Sequence, residues 1–134
     1  MFKISYSNGL WYLIIKYTVF FIYLAFLGNR FKNIVINNAQ TSAELMRLSF
    51  GYVLQVFLFM LLLVLIFSIP FYFIMRLKSK IYLVLAMIAF FSIEYFVYTY
   101  LASPSEAMLG IYNLIIGVVV FIIIYQKSIT QIFK

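Results

Sequence analysis

Residues 52–75 read YVLQVFLFMLLLVLIFSIPFYFIM, a stretch of 24 residues in which no side chain carries a charge. A helix needs about 20 apolar residues to cross a hydrocarbon layer about 30 Å thick, and this stretch is long enough to do so. Further apolar runs lie at about 10–28, 81–102 and 108–126. The sequence therefore predicts an all-α integral membrane protein with four transmembrane helices.

The composition agrees with lipid as the main solvent of this chain. Of the 134 residues, 67% are hydrophobic and only 10% are charged, whereas a typical soluble domain has about 25% charged residues. A soluble domain of this size could not bury so much apolar surface. We predict a single four-span domain over residues 1–134, with helices at about 10–28, 42–77, 81–102 and 104–128. The second helix includes an N-terminal extension outside the membrane.

The basic residues predict the orientation of the chain. The connection RLKSK between the second and third spans has three basic residues, whereas YLASPSEAMLG between the third and fourth has none. Because cytoplasmic connections are enriched in Lys and Arg, we expect an up-down bundle with both termini in the cytoplasm. The net charge of +7 then reflects orientation and contact with lipid headgroups, and we expect no nucleic-acid partner.

Two short motifs predict where helices begin. Thr41-Ser-Ala-Glu44 and Ser103-Pro-Ser-Glu106 both match the capping-box pattern. In this pattern the first side chain accepts a hydrogen bond from the backbone of the fourth residue, whose own side chain reaches back. Thr41, Glu44, Ser103 and Glu106 are therefore predicted as structural helix caps. Glu94 is left as the one acidic residue without such a role.

Glu94 stands alone among apolar and aromatic neighbours in AFFSIEYFVYTY, residues 89–100, well inside the predicted hydrocarbon region. A charge there is costly, so the side chain is expected to face a neighbouring helix, a partner or a water-filled cavity. Counted along the helices, Glu94 and Asn113 lie about 4 Å and about 6 Å to the outer side of the middle of their spans, whereas Lys16 lies about 4 Å to the inner side of the middle of the first span. We rank Asn113 as the first partner of Glu94 and Lys16 as the second.

Gln55 completes the candidate intramembrane polar site. It lies four residues after Gly51 and eight after Arg47, so these three residues share one face of the second helix. Two interpretations of Glu94 remain open. It could line an outward-opening polar cavity and bind a proton, a cation or a substrate group during transport, or it could be uncharged and hydrogen-bonded to a neighbouring helix or subunit.

The catalytic inventory of the chain is almost empty. It has no His, no Cys and no Asp, so we expect no metal site, no cofactor and no enzymatic activity. An intramembrane enzyme that uses Ser68 or Ser92 is the least favoured alternative, because acid–base chemistry usually recruits His or more than one carboxylate.

These features favour a non-enzymatic accessory, assembly or immunity subunit that docks on a larger membrane protein or forms a homo-oligomer. The alternative is a small transporter or channel subunit that uses Glu94. The chain resembles small four-span bacterial membrane proteins in its length and in its short basic connection, residues 76–80. The expected location is the bacterial cytoplasmic membrane, with the mitochondrial inner membrane as the alternative.

Overall fold

The computed structural model describes residues 5–102 and 105–134 of the chain. The elements in these ranges are helical. In chain order they are α1 (Tyr6–Phe26), a π-helical turn (Lys32–Ile36), α2 (Ser42–Met75), α3 (Lys80–Val97), a second π-helical turn (Tyr98–Ala102) and α4 (Ala107–Phe133). Four helices are long and apolar enough to cross a membrane, the third with the π-helical turn that continues it. The predicted all-α membrane protein with four candidate spans is confirmed.

Side-chain caps fix the beginnings of the first two helices. Ser5 accepts a hydrogen bond from the backbone N–H of Asn8 at 3.3 Å, so α1 begins before the predicted apolar run. At the start of α2, the Thr41 hydroxyl accepts from the Glu44 N–H at 3.2 Å. The Glu44 carboxylate accepts from the N–H of Gln40 at 2.9 Å, one residue before the capping residue.

Glu106 has a different role from the predicted one. Helix α4 begins at Ala107, later than the expected residue 104, so Glu106 precedes the helix, and among the described residues its side chain makes no cap hydrogen bond. Its carboxylate accepts a hydrogen bond from Arg30 at 3.3 Å, because the connection between α1 and α2 presents a positive charge there. Ser103, the other residue of this predicted cap, lies outside the described residues.

Helix α1 contacts both α2 and α4, and α3 contacts α4 and α2. The buried side chains of α1 recur at spacings of three and four residues, which places them on one face of the helix. This face consists mainly of Tyr12, Leu13, Lys16, Tyr17, Phe20, Phe21 and Leu24. A lysine therefore lies in the middle of the core face of α1.

Aromatic rings join all four helices next to that lysine. Tyr12 of α1 stacks on Phe71 of α2 with a centroid separation of 4.8 Å. Phe121 and Tyr125 of α4 lie 5.7 Å and 5.9 Å from the Tyr12 ring, and Phe90 of α3 lies 5.6 Å from Phe71. Such pairs contribute about 0.5–1.5 kcal/mol each beyond the area they bury. They hold the helices together on one side of the polar cluster described next.

Candidate functional site: a buried polar cluster

The centre of the cluster is the Lys16 side chain, which is fully buried. Its ammonium nitrogen lies 5.0 Å from the centroid of the Tyr17 ring and 5.6 Å from that of Phe91. The negative faces of aromatic rings attract a cation at these separations. The aromatic rings of the core thus stabilise the positive charge of Lys16, which hydrocarbon alone would not stabilise.

Glu94 of α3 is the ionic partner of Lys16. Its Oε1 atom accepts hydrogen bonds from the Lys16 ammonium group and the Tyr17 hydroxyl. Asn113 of α4 donates to the same oxygen through Nδ2 at 3.5 Å. Glu94 is 2% exposed and Asn113 is 1% exposed. One carboxylate oxygen therefore links α1, α3 and α4 inside the bundle.

Gly117 of α4 makes room for this ion pair. A Cβ atom at position 117 would lie 2.8 Å from Cε and 3.0 Å from Nζ of Lys16, closer than real side chains normally approach. The Gly117 carbonyl also accepts a hydrogen bond from the Tyr12 hydroxyl at 2.9 Å. The absence of a side chain at 117 lets α4 come close enough to α1 for both contacts.

Gly110, two helical turns before Gly117, lets α4 approach α3 closely in the same way. A Cβ atom there would lie 2.9 Å from the Tyr95 ring, and the Thr99 hydroxyl oxygen is among its nearest neighbours. Glycines seven residues apart lie close to one face of a helix. Together they form a smooth face on α4 against which α1 and α3 pack, a common device between membrane helices.

Three oxygens in the cluster and beside it have no hydrogen-bond partner among the described residues: Oε2 of Glu94, Oδ1 of Asn113 and Oγ1 of Thr99. Buried polar atoms are nearly always paired, so unpaired ones in a membrane core need an explanation. Two of the three, on Glu94 and Asn113, can only accept unless a proton is added. The cluster thus has spare capacity to accept a donor, such as a proton on Glu94.

The ion pair has a chemical consequence for the whole bundle. A lone charge deep in hydrocarbon is costly, whereas Lys16 and Glu94 together carry no net charge. Removal of either partner leaves the other buried and uncompensated. The cluster can therefore bind helices together, or hold a proton whose position depends on the pair.

The structure brings three of the four predicted polar residues together and corrects their order. Lys16, ranked second, makes the close contact with Glu94, whereas Asn113, ranked first, lies at the longer distance of 3.5 Å. Lys16 was expected in the inner half of a span beginning at about residue 10, but α1 begins at Tyr6, so Lys16 lies near its middle and on the face turned toward the bundle. Gln55 is exposed and lines a different cavity, with Arg30 and Tyr98.

Tyr17 and Gly117 belong to the cluster but were not predicted. Tyr17 follows Lys16 on the buried face of α1, and its neighbours by three and four residues are also buried. The spacing of apolar and aromatic residues could therefore have placed Tyr17 on the buried face of α1. The separation of Gly117 from Gly110 by seven residues could have placed both glycines at a helix contact, although neither belongs to a G-x-x-x-G motif.

The hydroxyl groups considered for catalysis are engaged elsewhere. Ser68 Oγ lies 2.9 Å from the Tyr6 hydroxyl and donates to the Leu65 carbonyl at 3.1 Å, and Ser92 donates to the Ile88 carbonyl at 2.8 Å. Within residues 5–102 and 105–134, no group of three His, Cys, Asp or Glu side chains could hold a metal ion.

The fold and the buried cluster define the class of this protein: a small helical membrane protein with an internal ion pair. No family model, no curated protein and no solved structure matches the chain.

Proposed function

We propose that this protein is a non-enzymatic accessory, assembly or immunity subunit that docks on a larger membrane protein. The start of α2 carries the proposal. Helix α2 has 34 residues, or about 51 Å at about 1.5 Å per residue, whereas the hydrocarbon layer is about 30 Å thick. Part of α2 then projects beyond the lipid.

The projecting turns of α2 present apolar side chains away from the bundle. Met46 is 78% exposed and Phe50 is 71% exposed. Nothing in the described part of the chain lies within 4 Å of a Cβ atom placed on Gly51, so this part of the helix is open to a neighbour. Apolar side chains outside the hydrocarbon, next to a small residue, are typical of a protein contact.

The proposed bundle is up-down with both termini in the cytoplasm. The Arg30–Glu106 ion pair supports this arrangement, because it joins the α1–α2 connection to the α3–α4 connection. The hydrogen bond from the Tyr125 hydroxyl to the Asn8 carbonyl, at 3.3 Å, supports it at the other end. The basic residues 76–80 then lie on the cytoplasmic side, and the projecting start of α2 lies on the opposite side.

Photo-crosslinking in native membranes tests the docking role. A photoreactive amino acid is introduced in place of Met46 or Phe50, and in place of Phe73, which is 63% exposed near the other end of α2. We expect a discrete protein adduct from positions 46 and 50 and none from 73. We also expect Phe50→Ala to release the partner on mild-detergent extraction, whereas Phe73→Ala retains it. Adducts at all three positions, or none at any, would contradict the proposal.

The spare acceptors of the buried cluster favour a second candidate, a small transporter or channel subunit that moves protons or cations through Glu94. An ionisable group inside a membrane is a functional candidate by default. In liposomes, the parent protein should then show a pH-dependent flux that Glu94→Gln abolishes while the helical fold is retained. Absence of flux from the parent protein would end this candidate.

A further inference from the structure

A polar cavity lies at the end of the bundle where α1 is connected to α2, apart from the Lys16 cluster. Its volume is about 200 Å³. Four polar side chains contribute to a lining that is otherwise apolar: Arg30, Tyr52, Gln55 and Tyr98. They come from the α1–α2 connection, from α2 and from the π-helical turn after α3. The cavity thus gathers one cation and three hydrogen-bonding groups from separate parts of the chain.

The backbone after α1 directs Arg30 to this cavity. Asn29 adopts a left-handed conformation with φ of 54°, which Asn tolerates better than most residues and which ends the helical path. Arg30 then lines the same cavity as the hydroxyl-bearing side chains of Tyr52 and Tyr98. It also donates to Glu106, which is 57% exposed. Exposed pairs of this kind contribute only about 0–1 kcal/mol, so an anion can displace Glu106.

An apolar groove of about 300 Å³ lies next to the polar cavity. The two share the lining residues Phe21, Tyr52 and Val56. The groove runs between α1 and α2 down to Thr18 and Met60, which are joined by a hydrogen bond of 3.4 Å to the methionine sulfur. From Tyr52 to Met60, α2 rises about 12 Å. The groove therefore leads from the helix connection into the membrane.

We infer that the cavity and the groove form one binding site for an anionic membrane phospholipid. The phosphate group binds Arg30 and the polar side chains beside it, and one acyl chain occupies the groove. Arginine matches the geometry of a phosphate with two parallel hydrogen bonds. Basic pockets between membrane helices bind lipid headgroups in the same way.

Charge and polarity select this occupant. A helix from a partner, about 10–12 Å across with its side chains, is far thicker than a single acyl chain. A free phosphate ion would use the cavity and leave the groove empty. A phospholipid offers both an anion for Arg30 and an apolar chain for the groove in one molecule. The site is distinct from Met46 and Phe50, so its failure and failure of the docking role are separate results.

Native mass spectrometry of the purified protein, with phosphatidylglycerol or phosphatidylcholine added, tests the inference. We expect bound phosphatidylglycerol on the parent protein and about a tenfold weaker affinity in Arg30→Gln, because one charged hydrogen-bonding partner is lost. Arg47→Gln removes the same charge from an exposed position on α2 outside the lining and should bind normally. Unchanged helicity and thermal unfolding of each variant exclude misfolding as the cause.

A second pair of variants tests the groove. Ala25 lines it, and Ala25→Leu should fill it and reduce lipid binding, whereas Ala89→Leu on the exposed side of α3 should not. Glycerol 3-phosphate, which has the headgroup anion without the chains, should not compete at equal concentration. Equal losses of lipid affinity in Arg30→Gln and Arg47→Gln would overturn the inference, as would normal lipid binding by Ala25→Leu. Full competition by glycerol 3-phosphate, or a polypeptide bound in place of lipid, would also overturn it.

Discussion

Helices α1 and α2 pack against each other, yet they are buried to different extents. The most apolar part of α1 has a mean hydropathy of 1.6 and 44% of it is buried, whereas the corresponding part of α2 has a mean hydropathy of 2.7 and only 22% is buried. In a soluble protein the more apolar helix would be the more buried one. Here hydrocarbon solvates apolar side chains as well as the core does. Between these two helices, burial therefore follows polarity, and the buried face of α1 includes the polar side chains of Tyr12, Lys16 and Tyr17.

The largest effect should come from breaking the ion pair on the α1 side of this comparison. Lys16→Met keeps the length of the side chain and removes the charge opposite Glu94. A partner left alone in a buried site costs about 3–5 kcal/mol. We expect a loss of that size in the free energy of unfolding, measured by denaturation with sodium dodecyl sulfate in mixed micelles. A loss below 1 kcal/mol would mean that Lys16 does not stabilise the buried carboxylate of Glu94.

Glycine substitutions extend the comparison to a position packed against α1 and a position on the open face of α2. The two substitutions should change the free energy of unfolding in opposite directions. Gly117→Ala places a methyl group against the end of the Lys16 side chain and should cost about 1–3 kcal/mol. The methyl group of Gly51→Ala meets none of the residues that the structure describes, and the substitution should stabilise the protein by about 0.5–1 kcal/mol. The same unfolding assay measures both. Equal effects would contradict the difference between the two faces.

Tyr12→Phe tests a weaker contact on the buried face of α1. It removes the hydrogen bond from the Tyr12 hydroxyl to the Gly117 carbonyl and leaves the stacked ring in place. Hydrogen bonds between membrane helices contribute about 0.6 kcal/mol on average, and we expect a loss near that value. As a control, Tyr82→Phe changes a tyrosine that is 68% exposed and should have no effect on unfolding.

The smallest effect is expected on the outer surface of α2. Leu58 is 56% exposed and Leu62 is 51% exposed. Their side chains meet lipid in the bundle and also when the helices are separated, so Leu58→Ala and Leu62→Ala should change the free energy of unfolding by less than about 0.5 kcal/mol. Losses of several kcal/mol would mean that this face packs against protein.

The sequence was sufficient to predict the parts of the fold that depend on local chemistry. The four apolar runs predicted four candidate spans, and the Thr41–Glu44 pattern predicted the start of α2. Each depends on residues close together in the chain. The fourth helix was different, since Glu106 pairs with Arg30, a residue 76 positions away. A motif could not reveal that competing partner.

Part of the candidate site was predictable from the sequence. Lys16, Glu94 and Asn113 were singled out as polar residues within the apolar runs, whereas Gln55 lines a different cavity and Tyr17 and Gly117 were not predicted. The direction in which each helix turns its face depends on packing against the others, and this decided that Lys16 is the closer partner. The role of Gly117 depends on the same packing, because it is defined by the side chain that approaches it.

The central claim is that Lys16 and Glu94 are direct partners that bind α1 to α3 inside the bundle. A double-mutant cycle with Lys16→Met, Glu94→Gln and the combined variant measures their coupling free energy in mixed micelles. The account predicts that the combined variant is more stable than the sum of the single losses implies, by about 1–3 kcal/mol. Losses that add to within about 0.5 kcal/mol would contradict it, because side chains in contact do not behave independently.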